Sequence, residues 1–356
     1  MVQTALKSWD GEDRHGKRGY LRVVTMKASR LGATDLVVSD LSLGTMTFGK
    51  EADEQTAHQL LDTFVGTGGT MIDTADRYAM GLSEEIIGRW VEKSGHRDRV
   101  ILATKARFPM ERGSGLHPSY LRGAIEDNLR RLKVETLDIF QPHAFDPQVD
   151  PSEWLGLLQE FIDEGKVRYV GASNFLGYQL HHTLDVAHYE GLPMVVSLQA
   201  QYNLLDRQID VEILEVCQRY DIPVLAWSPL GGGWLTGKYQ RDHNPTSASR
   251  LEQNALRFID SYDKRNVDRT YRILEEVRAV AEECQASLAQ VSLAWLIQHP
   301  RVGSAIIGAR DITQLTENLS ATQVTLTPEQ WSRLDLVSRP VIPDYPYGFM
   351  DIMGGR

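Results

Sequence analysis

The sequence contains only two cysteines, Cys217 and Cys284, and no long hydrophobic run. The cysteines lack the close spacing of a metal-binding or redox pair, so we expect two reduced thiols in a cytoplasmic protein. No segment approaches the roughly 18 consecutive apolar residues that span a bilayer. The polar start from Ser8 to Gly19 also lacks the apolar region of a signal peptide. These absences predict a protein with no membrane partner.

Positive charge is also limited. Lysine and arginine total 38 against 48 acidic residues, which gives a net charge of −10 at pH 7. Because both signs are interspersed along the chain, this balance argues against nucleic acid as a general partner. His181, His182 and His188 fall on the polar face of one predicted helix, which indicates a solvated surface. We therefore predict no metal site.

The chain length of 356 residues fits a single α/β barrel domain, since such barrels take about 250 residues and tolerate insertions. The first 25 residues are charged and lack apolar periodicity. They predict a disordered or loosely docked extension before one domain over 26–356. From Met26 onward, two short apolar segments, Lys27 to Leu31 and Leu36 to Ser39, flank a Gly-containing turn and predict a β-hairpin.

Strand-like and helix-like segments then alternate along the rest of the chain. The helices have start signals, among them Asp53 and the capping boxes that begin at Asp150 and Ser287. The eight predicted strands are Leu41 to Thr47, Thr70 to Ala75, Val100 to Lys105, Leu137 to His143, Tyr169 to Ser173, Val195 to Gln201, Pro223 to Ser228 and Ser304 to Ile307. Eight such units predict a closed (β/α)8 TIM barrel with an N-terminal hairpin and a C-terminal extension.

Four polar residues lie at or just past the carboxyl ends of three of these strands: Asp73, Tyr78, Lys105 and His143. Parallel barrels keep their catalytic groups at that end of the strands. A phenol beside an ammonium that a carboxylate holds in place, with an imidazole nearby, can protonate an oxyanion as it forms. Each residue alone is typical of a satisfied polar group at a strand end, but the four together predict a proton-donating site.

Several ordered motifs make the chain similar to the aldo-keto reductase family, near the bacterial members related to inositol-utilisation enzymes and potassium-channel β-subunits. The motifs are Leu43 to Gly49, Ile72 to Tyr78, Gly165 to Asn174, Trp227 to Gly233 and Ile307 to Arg310, and the C-terminal Tyr345 to Tyr347 adds to the likeness. The resemblance implies that Asp73, Tyr78, Lys105 and His143 form the catalytic tetrad and that a nicotinamide dinucleotide is the cofactor.

The same resemblance implies the residues that contact the cofactor. Ser173, Asn174 and Gln199 would meet the nicotinamide carboxamide, and Trp227 would stack on its ring where the family more often has tyrosine. The remaining implied contacts lie in the loop after the first barrel strand, in the glycine-rich loop around the pyrophosphate and at the adenosine end: Gly44, Thr45, Met46, Ser228, Pro229, Leu230, Gly231, Gly233, Lys238, Ile307, Gly308, Arg310, Gln314, Glu317 and Asn318.

The sequence thus predicts an NADPH-dependent reductase of a small aldehyde or ketone, with Tyr78 as the general acid; the alternative is a cofactor-binding regulatory subunit. An arginine at position 310 can bind a 2′-phosphate, although it could instead pair with Asp311 or Glu317, and NADH use stays open. Ala144 and Phe145 replace the basic residue that usually follows the histidine, which indicates an apolar or aromatic-tolerant pocket with Phe48, Met80 and Trp234 nearby. Residues 239–264 form either a lid or a plain surface loop. The sequence leaves the oligomeric state open.

Overall fold

The computed structural model describes residues 26–241 and 262–354. The predicted N-terminal extension and most of the predicted lid lie outside the described residues. Within them, a two-stranded hairpin of β1 (Ala28–Arg30) and β2 (Val37–Ser39) precedes a closed barrel of eight parallel strands. The barrel strands are β3 (Leu41–Gly44), β4 (Met71–Asp73), β5 (Ile101–Ala106), β6 (Leu137–Pro142), β7 (Val167–Ser173), β8 (Val195–Gln201), β9 (Val224–Trp227) and β10 (Val302–Ile307).

Helices surround this barrel in the order expected for repeated βα units. In the described part of the chain they are α1 (Glu54–Gly66), α2 (Leu82–Ser94), α3 (Pro118–Leu132), α4 (Pro151–Asp163), α5 (Gly177–Glu190), α6 (Ile213–Arg219), α7 (Tyr262–Arg265), α8 (Asp268–Cys284), α9 (Leu288–Ile297), α10 (Ile312–Leu319), α11 (Pro328–Ser338) and α12 (Phe349–Ile352). The predicted (β/α)8 barrel with its N-terminal hairpin is therefore confirmed. None of the described helices has the length and apolarity needed to cross a bilayer.

Local sequence signals explain where these helices begin. The Asp53 side chain accepts a hydrogen bond from the Thr56 amide at 2.8 Å and caps α1. Asp150 begins α4 and Ser287 begins α9, each with the predicted capping box. The apolar stripe of α1 is buried as its 3.6-residue period predicts; its members are Ala57, Leu60, Leu61, Phe64 and Val65.

The hairpin covers the amino-terminal end of the barrel. Its Leu31, Leu36 and Val38 side chains are buried against residues that point into the barrel, including Met71 and Ile101 at the starts of their strands. This packing removes apolar surface from water at the end of the barrel that holds no predicted site residue. The loops that follow the strands lie at the opposite end of the barrel, where the strands have their carboxyl ends.

Some element boundaries differ from those predicted. The first barrel strand ends at Gly44 rather than Thr47, because the Thr45 amide donates to the carbonyl of Asp73 and the Phe48 amide donates back to Thr45 in a turn. The last barrel strand starts two residues earlier than predicted, at Val302. The two cysteines are free, as expected.

Candidate active site

The structure brings the four predicted catalytic residues together at the carboxyl end of the barrel. Asp73 is the last residue of β4, Lys105 lies near the end of β5, and His143 directly follows β6. Tyr78 begins a short 3-10 turn, Tyr78–Gly81, after β4. Since parallel strands end at the same rim, residues that are far apart in sequence share one site.

Asp73 and Lys105 form an ion pair that is removed from solvent. The Lys105 ammonium donates to both carboxylate oxygens of Asp73, at 2.8 and 2.9 Å, and to the Thr74 carbonyl at 2.6 Å. The Lys105 side chain has no exposed surface. Burial lowers the pKa of Lys105, but the charge of Asp73 and the phenol of Tyr78 outweigh that effect and raise it. The ammonium therefore stays charged.

The phenol of Tyr78 lies between this ammonium and the imidazole of His143. Lys105 Nζ is 5.2 Å from the centroid of the Tyr78 ring and contributes a hydrogen bond to its side chain. The Tyr78 and His143 rings meet edge to face with centroids 6.0 Å apart. Tyr78 thus has a fixed cation on one side and a polar ring on the other, which suits a group that gives up a proton.

His143 is held as a neutral imidazole. Burial lowers its pKa well below the ordinary value, and the positive charges of Lys105 and Arg107 lower it further. Its Nδ1 atom is buried and has no hydrogen-bond partner among the described residues. A neutral ring can donate through one nitrogen only, so His143 is suited to orient a substrate oxygen rather than to protonate it.

The turn that presents Tyr78 has an unusual backbone. Ala79 and Met80 both have left-handed conformations, with φ of 48° and 55°, and Gly81 follows with φ of 93°. Residues with a Cβ atom disfavour this region. The main chain is thus strained directly after Tyr78, a position where such strain serves to fix a side chain.

A second buried acidic group lies behind the same turn. Glu84 is fully buried and accepts hydrogen bonds from Thr104 Oγ1 and Arg131 Nε, both at 2.6 Å. Asp76 is 1% exposed and receives no side-chain hydrogen bond. Burial first, then the Glu84 carboxylate, raise the pKa of Asp76 to about 7, against the opposing charge of Arg131. Asp76 thus titrates near neutral pH, two residues from Tyr78.

The residues predicted for the nicotinamide end surround this site. Ser173 ends β7, and the Asn174 amide after it donates to the His143 carbonyl at 2.9 Å and accepts from the Trp227 indole at 3.0 Å. Asn174 therefore links His143, directly after β6, to Trp227, the last residue of β9. Gln199 in β8 donates through Nε2 to Asp73, which leaves its Oε1 for an amide N–H donor.

The predicted pyrophosphate loop closes around two cations. It follows β9 and takes three successive positive φ angles, at Gly231, Gly232 and Gly233. A Cβ at Gly233 would lie 2.8 Å from Lys238 Nζ, and one at Gly231 would lie 2.8 Å from Arg265 Nη1. Only glycine allows both cations to approach the main chain this closely. The loop has the charge and the bare backbone that an anion requires.

At the predicted adenosine end, Asp311 caps α10 by accepting the Gln314 amide at 2.8 Å. The Arg310 amide donates to Gln314 Oε1, and the Asn318 amide donates to the Gly308 carbonyl. Arg310 forms no ion pair within residues 26–241 and 262–354, so the pairing with Asp311 or Glu317 that the sequence left open does not occur. Gly44, Thr45 and Met46 lie at the end of β3, and Ile307 ends β10 on the same rim.

Two residues expected beside the substrate are instead in the core. Phe48 and Trp234 are fully buried, whereas Met80 is 52% exposed. Trp234 stacks on Tyr262 with ring centroids 5.4 Å apart and also packs on Tyr239, so its ring is enclosed by other aromatic side chains. An apolar residue in a loop can face either way, and the sequence alone did not reveal this choice.

Phe108 and Arg107 also lie at this site and were not predicted from the sequence. The Phe108 ring packs on His143 with centroids 4.6 Å apart, and the Arg107 guanidinium lies over the Phe108 ring. Their position directly after the strand that carries Lys105 was the available signal.

Comparisons with known proteins agree with this geometry. Residues 40–339 match the family model for the aldo/keto reductase family. The chain is 32% identical over 318 residues to the uncharacterized oxidoreductase YrpG of Bacillus subtilis, covering 85% of this chain and 93% of the relative. Protein tas of Escherichia coli is 31% identical over 343 residues, with 88% and 97% covered. A probable voltage-gated potassium channel subunit beta of Oryza sativa is 31% identical over 319 residues, with 88% and 96% covered. The chain belongs to the aldo/keto reductase family of oxidoreductases.

Proposed function

We propose that this protein reduces an aldehyde or ketone to an alcohol with NADPH, with Tyr78 as the general acid. The observation that carries the proposal is the buried Asp73–Lys105 pair beneath the Tyr78 phenol. A lysine that is kept charged beside a phenol favours the release of the phenolic proton. The reverse reaction, alcohol oxidation, uses the same groups.

The chemistry that a nicotinamide dinucleotide would supply when bound is a hydride for the carbonyl carbon. Tyr78 Oη gives its proton to the carbonyl oxygen, which becomes the hydroxyl of the product. Lys105 stabilises the phenolate that remains, and Asp73 holds Lys105 in place. His143, neutral at the pH of the reaction, donates a hydrogen bond that fixes the angle of the carbonyl.

The residues at the rim fit a phosphorylated dinucleotide. Gln199 Oε1 and Ser173 suit the carboxamide, and the glycine loop with Lys238 suits the pyrophosphate. Arg310 supports NADPH over NADH because its guanidinium has no carboxylate partner of its own. A cytoplasmic location and the absence of nucleic-acid or membrane partners stay predictions.

Turnover with a carbonyl panel tests this function. The full chain with NADPH is assayed by loss of reduced cofactor with aryl aldehydes, keto-sugars and polycyclic ketones, and Tyr78→Phe is the matched control. Many turnovers with at least one compound, lost in the control, support a reductase. Oxidation that stops after about one equivalent of cofactor favours the alternative, a regulatory subunit, which the name of the rice relative also suggests.

A further inference from the structure

Arg107 is a cation at the mouth of the site without a counterion. It follows the last residue of β5, two positions after Lys105, and its side chain is half-buried. Its Nε atom is buried and has no hydrogen-bond partner, and its guanidinium forms no ion pair with any residue that the structure describes. Since Nε is enclosed, a ligand would meet the Nη nitrogens, and a guanidinium with no acceptor in the described chain favours a ligand that supplies one.

One aromatic ring, that of Phe108, contacts both the Arg107 guanidinium and the His143 imidazole. Arg107 Cζ lies 5.5 Å from the centroid of the Phe108 ring, and the centroids of the Phe108 and His143 rings are 4.6 Å apart. The charge of Arg107 also acts on His143, which agrees with this short separation. A substrate whose carbonyl meets His143 therefore lies beside the ring that the Arg107 guanidinium also contacts.

Two carboxylates near this loop are used elsewhere, and the exposed Glu111 within it forms no ion pair with Arg107. The Asp146 carboxylate accepts hydrogen bonds from the backbone amides of Leu116 and Gln148, at 3.0 and 3.1 Å, and so holds the loop after β5. Asp127 pairs with Arg112 and Arg130. Because Asp73 already neutralises Lys105, Arg107 is left to supply about one positive charge beside His143.

We propose that Arg107 binds a carboxylate on the substrate, and that the preferred carbonyl compounds are aromatic aldehydes or ketones with a carboxylate across the ring from the carbonyl. This inference rests on the proposed function. A guanidinium matches the two oxygens of a carboxylate in one plane, and a single cation matches its single charge better than that of a phosphate. The apolar or aromatic-tolerant pocket predicted from Ala144 and Phe145 accommodates the ring, and Arg107 adds an anion site that the sequence analysis did not predict.

The test compares para-carboxybenzaldehyde with its methyl ester, which is neutral and otherwise alike. With NADPH, the wild type should show kcat/KM about tenfold to a hundredfold higher for the acid, and Arg107→Gln should bring the ratio of acid to ester close to one, whatever its effect on the ester itself. Arg107→Lys should restore part of it. Arg99→Gln, at the other end of the same strand, is the matched control and should keep the preference. Equal use of acid and ester by the wild type, or an unchanged preference in Arg107→Gln, overturns the inference but not the reductase.

Binding gives a readout that needs no turnover. Titration calorimetry with the full chain and NADP+ measures para-(hydroxymethyl)benzoate and its methyl ester. Tighter binding of the carboxylate by the wild type, lost in Arg107→Gln, supports the site even if no aldehyde is reduced. Equal affinities in both proteins overturn it. Thermal unfolding of each variant establishes that it is folded.

Discussion

Gln199 Nε2 donates a hydrogen bond of 2.7 Å to Oδ1 of Asp73, the same oxygen that accepts from Lys105. Gln199 lies on strand β8 and Asp73 on strand β4, and these two strands are opposite each other in the closed barrel. Asp73 is thus fixed by an amide as well as by an ammonium. A second donor on the carboxylate sets the direction from which Lys105 approaches Tyr78.

Replacement of Lys105 by methionine should be costly for stability as well as activity. Asp73 would keep the Gln199 amide but lose its counterion, and an unpaired buried charge costs about 3–5 kcal/mol. Urea unfolding measures this loss. The double variant Asp73→Asn/Lys105→Met should recover part of it, because no lone charge then remains. If any activity survives, its alkaline limb should move to higher pH, since Tyr78 has lost its cation.

Tyr78→Phe should abolish carbonyl reduction and leave cofactor binding nearly unchanged. The ring can still pack against His143, but the proton donor is gone, which typically costs about 10²- to 10⁴-fold in rate. Steady-state kinetics and a fluorescence titration with NADPH check the two halves of this expectation. Turnover within a few-fold of the wild type would show that Tyr78 is not the general acid.

Arg310→Ala should weaken NADPH binding by about 1.5–3 kcal/mol, as expected for loss of a charged hydrogen bond, and leave NADH nearly unaffected. The guanidinium has no competing carboxylate in the described chain, so its removal should act on the cofactor alone. Dissociation constants for both dinucleotides measure the split. Equal weakening of the two, or no effect on either, contradicts a 2′-phosphate contact.

Strand ends and helix caps were readable from the sequence because they depend on local pattern. Asp73 and Lys105 follow apolar runs, and Asp150 and Ser287 begin their helices as predicted. The lack of a counterion for Arg107 could not be predicted from the sequence. The Asp146 carboxylate accepts hydrogen bonds from the Leu116 and Gln148 amides, and these groups meet only in the folded chain. The burial of Trp234 depends in the same way on aromatic residues that meet it only in the folded loops.

Ala79→Gly should stabilise the protein by about 1 kcal/mol, because glycine adopts a φ of 48° without the Cβ penalty. Chemical denaturation measures the gain. Ala286→Gly is the control: its φ is not positive, so the added freedom of the unfolded chain should lower stability instead. A loss of stability in both variants would mean that Ala79 is not strained.

Asp76 should make stability fall as the pH rises toward neutrality. Its pKa is raised from 3.8 to about 7 in the folded protein, so between these values the folded chain retains a proton that the unfolded chain releases. The protonated Asp76 contributes its full stabilisation below the unfolded-state pKa. This stabilisation falls by up to about 1.4 kcal/mol per pH unit as the pH rises, and it is lost once the pH reaches the folded-state pKa.

Unfolding of Asp76→Asn at about pH 5 and about pH 8 checks this dependence. Relative to the wild type, the variant should be more stable at the higher pH than at the lower. Asp98→Asn, at an exposed aspartate before β5, should show no such difference. The same offset at both pH values would contradict a raised pKa at Asp76.

The barrel is joined at a seam where β3 pairs with β10, and Ser42 and Ser304 share a hydrogen bond of 2.6 Å across it. During synthesis the first barrel strand leaves the ribosome long before its partner is made. Until residues 302–307 emerge, β3 and β9 each present an open edge, a surface that readily adds strands from other chains. A nonsense mutation between Trp227 and Val302 would therefore yield an aggregation-prone open sheet, even though Asp73, Tyr78, Lys105 and His143 had all been translated.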